Sequence, residues 1–243
     1  MIVIAHRGSS QLAPENTLPA IKQALHDGVD AIEIDVQLTQ DNKVIVIHDE
    51  WLNRTTTGSG FVFLTPYARI RRLDAGSWFH PRFKGTHVPL LEEVLEEVKH
   101  TKVTLHIELK NNFIDYPGLE KQVIKLVKQY NMEERVILSS FRQDSLETCL
   151  YLAPSIKRGL LWWGSLTPLI NNSLWQKLQL YSIHPSILFL TSEVRTLRKK
   201  GVLIFPYVVE RKSQLMLCRR LKVDGVFTNS PRQIRKLLGQ NFG

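Results

Sequence analysis

A titratable base, a permanent cation and a carboxylate follow one short apolar run at the start of the chain. His6 and Arg7 come directly after MIVIA, and Glu15 lies close behind them. An imidazole transfers protons near neutral pH, and a guanidinium binds carboxylates or phosphates through paired hydrogen bonds. These residue types suit acid–base chemistry on an anionic substrate, provided that the fold brings them to one place.

Carboxylates recur in two later apolar runs at a spacing that places them together. Glu33 and Asp35 are two apart in AIEIDV, so both side chains point to one side of a strand, with Cα atoms about 6.6 Å apart. Glu108 and Lys110 share one parity at the end of the run VTLHIEL. Three converging carboxylates offer only oxygen ligands, which favour a hard divalent cation, Mg²⁺ or Ca²⁺, over Zn²⁺.

Two histidines and two cations complete this set of reactive groups. His6 and His48 fit a general base and a general acid, while Arg7 and Lys110 would hold an anion beside the metal. These are the components of metal-assisted phosphoryl transfer. Taken singly, each carboxylate has a plainer explanation, such as a Glu108–Lys110 salt bridge. Burying several unpaired charges is expensive, so their coincidence favours a site.

Short apolar runs alternate with amphipathic stretches along the chain, which predicts parallel βαβ units. Eight candidate strands follow this rhythm: 2–5, 31–36, 103–109, 135–139, 157–161, 180–183, 202–205 and 223–227. The run 44–47 follows too closely for a crossover helix and is predicted to be an antiparallel hairpin partner of 31–36. Eight βα units in 243 residues favour an α/β fold, a (β/α)8 TIM barrel, over an open doubly wound sheet.

The barrel is predicted to be a single catalytic domain over 1–243, with a small inserted segment after the second strand, at 50–89. That segment holds Trp and Phe residues among Gly, Pro, Thr and Arg without clear periodicity, and a long excursion of this kind is usually functional. Active sites of TIM barrels lie at the carboxyl ends of the strands. His6 and the carboxylates occur near such ends.

The composition is that of a globular protein with excess positive charge, 43% hydrophobic residues and a net charge of +9. Lys and Arg occur in pairs and short groups without a nucleic-acid-binding motif, so we expect no nucleic-acid partner. No apolar run approaches the roughly 18 residues of a membrane span, and two cysteines in unrelated contexts suit a reducing compartment. The sequence predicts a cytoplasmic protein that acts on a small anionic molecule.

Eight short motifs occur along nearly the whole chain: HRG at 6–8, PENT at 14–17, E-x-D at 33–35, HD at 48–49, L-x-R-T-T-x-G at 52–58, E-L-K at 108–110, S-S-F at 139–141 and D-G-V-F-T-N at 224–229. In their types and their order they resemble the motifs of the glycerophosphodiester phosphodiesterase family. The resemblance implies an α/β barrel with an insertion after its second strand. It also implies metal-dependent hydrolysis of glycerophosphodiesters to an alcohol and sn-glycerol 3-phosphate.

The resemblance implies a role for each candidate residue. The assignments are metal ligation by Glu33, Asp35 and Glu108, proton transfer by His6 and His48, phosphate binding by Arg7 and Lys110, and a supporting carboxylate at Glu15. One stretch departs from the family's pattern: where the family often has Trp-Thr-Val-Asn, this chain has YVVE at 207–210. Tyr207 keeps an aromatic wall for the substrate, whereas Glu210 changes the charge and is expected to alter which alcohol is accepted.

Two other functions stay open on the sequence alone. Trp162 and Trp163 end the fifth strand near the predicted mouth, and Trp175 follows. They would suit the acyl chain of a lysophospholipid, although packing in the barrel is their plainer role. A non-catalytic phosphate- or nucleic-acid-binding barrel would use the positive charge but would not need two histidines. Which histidine is the base, and whether water or the glycerol 2-hydroxyl attacks, are also open.

Overall fold

Apolar runs rich in β-branched residues form nine strands in residues 1–240, the part of the chain that the computed structural model describes. In chain order they are β1 (Ile2–His6), β2 (Ala31–Leu38), β3 (Val44–Val46), β4 (Thr104–Leu109), β5 (Val136–Ser140), β6 (Lys157–Trp162), β7 (Ser182–Pro185), β8 (Leu203–Ile204) and β9 (Gly225–Thr228). Eight of them are parallel, and β3 pairs antiparallel with β2. The hairpin expected from the short 36–44 connection is therefore present.

The eight parallel strands form a nearly closed barrel, which confirms the predicted fold. Neighbours run in the order β8-β7-β6-β5-β4-β2-β1-β9. Between β8 and β9, the two ends of this order, backbone hydrogen bonds replace a regular ladder. Asp224 N donates to Ile204 O at 3.1 Å, and Phe227 N donates to Pro206 O at 3.0 Å. We call this junction the seam. On its other side, β9 pairs with β1 at the start of the chain.

Helices connect the strands on the outside of the barrel. They are α1 (Leu18–His26), α2 (Tyr67–Ile70), α3 (Leu91–Val98), α4 (Leu119–Gln129), α5 (Gln143–Leu152), α6 (Thr167–Asn171), α7 (Leu174–Lys177), α8 (Val194–Lys199), α9 (Lys212–Leu221) and α10 (Pro231–Leu237). In α3, Leu91, Val94, Leu95 and Val98 are buried at helical spacing. Among residues 1–240, no helix has both the length and the apolar character needed to cross a membrane.

Gly8 sets the path of the loop that follows β1. Its φ of +79° lies in the left-handed region that glycine adopts without strain. A Cβ at this position would lie 2.6 Å from the carbonyl carbon of Ala20 in α1. Only glycine therefore allows this loop to pack on α1, and the packing fixes the loop that carries Arg7 and Glu15.

Aromatic rings and two histidines fill the barrel below the carboxyl ends of its strands. His106 and His184 lie against Phe205 and Phe227, with ring centroids 4.9–5.8 Å apart. A Cβ on Gly159 of β6 would lie 2.6 Å from the His184 ring, so this glycine makes room for it. Burial lowers the pKa of His106 to about 3 and that of His184 well below its ordinary value. The floor of the barrel is therefore uncharged.

Residues 50–89 form a small layer beside the hairpin, between β3 and α3. Two short 3-10 helices, Val62–Leu64 and Pro81–Phe83, flank α2. Apolar residues of the segment pack on Ile45 within β3 and on Ile47 just beyond its end. The segment therefore has its own apolar cluster and sits next to the strand end that carries His48.

Candidate active site

The carboxyl ends of the strands surround a cavity of about 210 Å³. Seven of the nine predicted site residues line it: His6, Arg7, Glu33, His48, Glu108, Lys110 and Tyr207. The other two reach the cavity through Arg7. Nε of Arg7 lies 3.3 Å from Oδ2 of Asp35, and its Nη1 donates to Oε1 of Glu15 at 2.7 Å. Residues that are far apart in the sequence are thus brought to one place.

Three buried carboxylates converge here because β2 and β4 pair in register, with Asp35 opposite Glu108. One carboxylate oxygen from each of Glu33, Asp35 and Glu108 lies within 4.8 Å of the others. Oε1 of Glu33 and Oδ1 of Asp35 have no hydrogen-bond partner in residues 1–240. Buried oxygens with unused lone pairs call for a ligand. An all-oxygen donor set of this kind fits a hard divalent cation.

Burial and the neighbouring charges together shift the pKa values of these carboxyls. Burial, with the charge of Asp35, raises the pKa of Glu33 well above its usual range. Burial also raises the pKa of Glu108, although Lys110 donates to its Oε1 at 3.0 Å. Burial alone would raise the pKa of Asp35 too, but the nearby charges, chiefly that of Arg7, hold it below its usual range. A bound cation would relieve the repulsion between these carboxylates.

Each of the two histidines is oriented by an oxygen at its Nδ1. Nδ1 of His6 lies 2.7 Å from Oδ1 of Asn229. An amide oxygen only accepts, so Nδ1 carries the proton and Nε2, which lies 4.0 Å from Oε2 of Glu33, is free to accept one. Nδ1 of His48 lies 2.6 Å from Oδ1 of Asp49. One histidine thus has a neutral partner and the other an anionic one. Burial lowers the pKa of His6 to about 4.

Arg7 is held in an unusual backbone conformation by the carboxylates around it. Its φ is +60°, a sparsely populated region for a residue with a Cβ. Its backbone N donates to Oε2 of Glu33 at 2.9 Å, while its guanidinium contacts Asp35 and Glu15. Strained residues of this kind persist where the surroundings fix them, often at functional sites. With Lys110, Arg7 gives the cavity two cations beside the carboxylates.

Arg54 is a site residue to which the sequence analysis gave no role, although it lies in the L-x-R-T-T-x-G motif. Its Nε and Nη2 donate to the two oxygens of Asp49 at 2.6 and 2.9 Å. Its Nη1 and Nη2 donate to the two oxygens of Glu15 at 2.9 and 2.8 Å. Arg54 therefore joins the carboxylate that contacts Arg7 to the one that contacts His48.

Apolar side chains line the opposite side of the cavity, and sequence reasoning identified only Tyr207 among them. The others are Phe141, Leu161, Val208 and Phe227, which lie at or beyond the ends of β5, β6, β8 and β9. Ser139 and the buried His184 complete this side. Three of these six residues, Ser139, Phe141 and Phe227, lie in the motifs S-S-F and D-G-V-F-T-N. Those two motifs could therefore have identified them from the sequence.

Glu210 does not line the cavity that holds the three carboxylates. Its carboxylate accepts hydrogen bonds from Asn229 N at 2.7 Å and from Ser230 Oγ at 3.2 Å. It faces a separate polar cavity of about 400 Å³, which shares only His6 and Arg7 with the first. The contacts made by Glu210 hold the loop that carries Asn229. Its expected influence on the accepted alcohol stays a prediction.

Comparisons with known proteins agree with one another. The sequence model of the glycerophosphoryl diester phosphodiesterase family matches residues 6–233. A Caldanaerobacter subterraneus protein named glycerophosphodiester phosphodiesterase is 42% identical over 98% of this chain and 97% of that protein. An Oleispira antarctica phosphodiesterase, solved with the product sn-glycerol-3-phosphate, has a TM-score of 0.88 and 29% identity over 99% of this chain and 97% of that one. A glycerophosphodiester phosphodiesterase from Agrobacterium tumefaciens has a TM-score of 0.83 and 30% identity, covering 97% and 99% of the two chains.

Proposed function

The chain belongs to the glycerophosphoryl diester phosphodiesterase family, and from this premise we propose that it hydrolyses glycerophosphodiesters to an alcohol and sn-glycerol 3-phosphate. Membership confirms the family and the enzyme class predicted from the motifs. The observation that carries the proposal is the buried group Glu33, Asp35 and Glu108, which shares a cavity with two histidines and two cations. The product bound to the Oleispira antarctica structure supports the choice of substrate class.

The cofactor in this proposal is one divalent cation, Mg²⁺ or Ca²⁺, held by Glu33, Asp35 and Glu108. The fit rests on their unpartnered buried oxygens and on the preference of hard cations for oxygen ligands. When bound, the cation would stabilise negative charge on the phosphodiester in the transition state.

The side chains around the cavity divide the remaining work. Arg7 and Lys110 bind the phosphate oxygens, Glu15 supports Arg7, and Tyr207 forms part of the wall that contacts the substrate. These roles follow from their places on the cavity wall or, for Glu15, behind it. Guanidinium and ammonium groups are the usual phosphate-binding groups in proteins.

The two histidines transfer protons in opposite directions. His6 accepts the proton of the attacking hydroxyl at Nε2, because its Nδ1–H is fixed by the neutral amide of Asn229. His48 donates a proton to the departing alkoxide, and the carboxylate of Asp49, 2.6 Å from its Nδ1, holds its ring in place. The attacking hydroxyl belongs to water or to the glycerol moiety. Phosphorus NMR separates the two, since attack by the 2-hydroxyl expels the alcohol and forms a cyclic phosphate, which water must then open to give sn-glycerol 3-phosphate.

We also propose that the barrel and segment 50–89 act as a single catalytic domain. Arg54 of the segment bonds to Glu15 and Asp49 beside the site, which supports this. We further propose a cytoplasmic location, which is supported by two buried and unpaired cysteines, Cys149 and Cys218.

Metal removal and reconstitution test the proposal. The enzyme is treated with EDTA, reloaded with Mg²⁺ or Ca²⁺, and assayed for sn-glycerol 3-phosphate release from glycerophosphocholine, glycerophosphoethanolamine and glycerophosphoglycerol. We expect release only with metal, and loss of metal binding in Glu33→Gln. Glu97→Gln is the control, because Glu97 lies on the surface of α3 in an ion pair with Lys22. Undiminished turnover after EDTA, or no release from any diester, would contradict the proposal.

A second candidate substrate class is favoured by one exposed aromatic pair. Trp163, 61% exposed, packs edge-on against Phe189 at a centroid distance of 5.4 Å. It lies two residues beyond Leu161, which lines the cavity. An exposed apolar surface next to a phosphodiester site suits the acyl chain of a lysophospholipid. Trp162, in contrast, donates to Ser165 O at 2.8 Å, and Trp175 packs against the outer core.

Hydrolysis rates for lysophosphatidylcholine and glycerophosphocholine compare the two classes directly. If the aromatic pair binds an acyl chain, Trp163→Ala raises KM for the lysolipid and leaves KM for glycerophosphocholine unchanged. Tyr151→Ala is the control, because Tyr151 is 86% exposed on α5. Equal effects of Trp163→Ala on both substrates would remove this candidate. The non-catalytic barrel is not proposed, since the chain belongs to a family of enzymes.

A further inference from the structure

We propose that Arg54 is a positioning residue that holds Arg7 and His48 in place for the reaction. The inference rests on the function proposed above and adds a residue to which no role has been given. Arg54 itself does not line the cavity with the carboxylates. It acts through two other side chains, which are themselves in contact with Arg7 and His48.

Arg54 makes four hydrogen bonds to two carboxylates. Two go to Asp49 and two to Glu15, at 2.6–2.9 Å. A guanidinium is planar and presents its donors in a fixed fork, so one side chain can bridge two carboxylates in a defined geometry. A lysine at this position would keep the positive charge, but its ammonium lacks the planar fork of donors that bridges two carboxylates.

Each of these carboxylates also contacts a residue that lines the cavity. Oε1 of Glu15 also accepts from Nη1 of Arg7 at 2.7 Å. Oδ1 of Asp49 is also 2.6 Å from Nδ1 of His48. The five side chains form one continuous series of contacts, with Arg54 at its centre. Moving Arg54 therefore moves the partners of both the phosphate-binding residue and a proton-transfer residue.

The charges along this series depend on one another. Burial alone would raise the pKa of Asp49, but hydrogen bonds from Arg54 and His48 lower it to about 2. Burial opposes ionisation of Glu15 as well, and the hydrogen bonds and charges of Arg54 and Arg7 lower its pKa. Without Arg54, Glu15 keeps its contact with Arg7, and Asp49 keeps its contact with His48. Each carboxylate would lose its bonds to Arg54, however, and would then be free to take other positions.

The series also links separate parts of the chain. Glu15 precedes α1, Asp49 follows the β3 hairpin, and Arg54 belongs to segment 50–89. No backbone connection within one strand fixes these three relative to one another. The side-chain contacts of Arg54 link all three, which gives the inserted segment a purpose in the site.

The test compares Arg54→Ala and Arg54→Lys with a matched control in the same segment. Arg71→Ala is that control, because Arg71 also ties the segment to α3, through Glu93, but away from the cavity. We expect Arg54→Ala to lose about 10–100-fold in kcat/KM, as removal of a positioning partner typically does. Arg71→Ala should stay within about twofold of wild type, at a similar Tm, and Arg54→Lys should lie between the two.

Chemical rescue separates positioning from structural damage. Guanidinium at low millimolar concentration should restore part of the kcat of Arg54→Ala, whereas the same concentration of sodium chloride should not. The proposal is overturned if Arg54→Ala keeps wild-type kcat/KM, if Arg71→Ala loses as much, or if guanidinium restores nothing.

Calorimetric binding of sn-glycerol 3-phosphate provides a readout that does not need turnover. Arg54→Ala should bind this product more weakly than Arg71→Ala does, because Arg7 has lost part of its support. Equal affinities would overturn the proposal. If wild type binds the product but releases none from any diester, the proposed function fails, and this affinity comparison still decides the role of Arg54.

Discussion

The two sides of the cavity are built from different chemistry. From β1 to β4, the lining side chains are titratable: His6, Arg7, Glu33, His48, Glu108 and Lys110. From β5 to β9, they are mainly apolar or aromatic: Phe141, Leu161, Tyr207, Val208 and Phe227, with Ser139 and His184 between them. The first set fits the reacting phosphate and its metal. The second offers contact area to the carbon skeleton of the substrate.

This division separates the kinetic effects expected from each side. Groups that act on developing charge contribute in the transition state and therefore change kcat, whereas uniform contacts with the substrate change KM. Substitutions on the titratable side should lower kcat, and substitutions on the apolar side should raise KM. The predictions below test this contrast.

The largest effect is expected from the histidines. His6→Ala and His48→Ala should each lower kcat by about 10²–10⁴-fold, the usual contribution of a general acid or base. Steady-state kinetics of the metal-loaded variants measures this, with His87→Ala as a control, because His87 pairs with Glu93 outside the cavity. Near-normal turnover by either folded variant would mean that its imidazole does not transfer a proton.

A smaller effect, on KM, is expected from the apolar side. Phe141 lines the cavity and packs edge-on against Tyr207 at 6.1 Å. Phe141→Ala removes contact area worth about 1.5 kcal/mol, so KM should rise roughly tenfold with little change in kcat. Phe113→Ala is the matched control, because Phe113 lies just after β4 and its side chain is 85% exposed. A fall in kcat without a rise in KM would erase the contrast between the two sides.

The uncharged floor beneath both sides predicts acid sensitivity. The pKa of His184 is held well below its ordinary 6.5 by burial, and next by the facing His106. As the pH falls below 6.5, the unfolded chain takes up a proton that folded His184 does not. The free energy of unfolding therefore decreases, by at most about 1.4 kcal/mol per pH unit for this residue.

Urea unfolding at several pH values measures this effect. Between pH 7 and 5, His184→Leu should show a shallower decrease than wild type, whatever its absolute stability. His26→Leu should not, since the His26 side chain is 76% exposed. Parallel profiles for wild type and His184→Leu would show that the floor does not exclude the proton.

The smallest effect is expected at Glu210. Glu210→Gln keeps an oxygen that accepts from Asn229 N, so the loop carrying Asn229 should stay in place. We expect kcat to change by less than about threefold, the range of an ordinary surface substitution. Substrate preference, compared across diesters with cationic and neutral alcohols, tests the separate expectation that Glu210 affects the accepted alcohol. Unchanged ratios among the diesters would contradict that expectation.

The barrel was predictable because strand and helix periodicities alternate along the chain. The limits of the later strands were less accurate: 180–183 was predicted where Ser182–Pro185 is found, and 223–227 where Gly225–Thr228 is found. Leu180 and Val223 extend the apolar runs but pack in the outer layer with the helices. An apolar run does not reveal which of its residues face the sheet and which face the helices.

The convergence of the carboxylates was also predictable, because side chains two apart share one face of a strand. That rule alone predicts that Glu33 and Asp35 lie together. To predict Glu108 beside them, one also needs the rule that active sites lie at the carboxyl ends of barrel strands. Neither rule predicts the contacts of Arg54 and Asn229. Their contacts join loops that are distant in sequence, and no periodicity specifies how those loops meet.

The seam between β8 and β9 has a consequence for local unfolding. β8 has only two residues in the sheet, and the hydrogen bonds of Asp224 and Phe227 across the seam stand in place of a full ladder. Amides there should exchange with deuterium earlier than those between β2 and β4, which pair over six positions. Because Asn229 directly follows β9, fraying at this junction would release the imidazole of His6 before the carboxylates of β2 and β4 part.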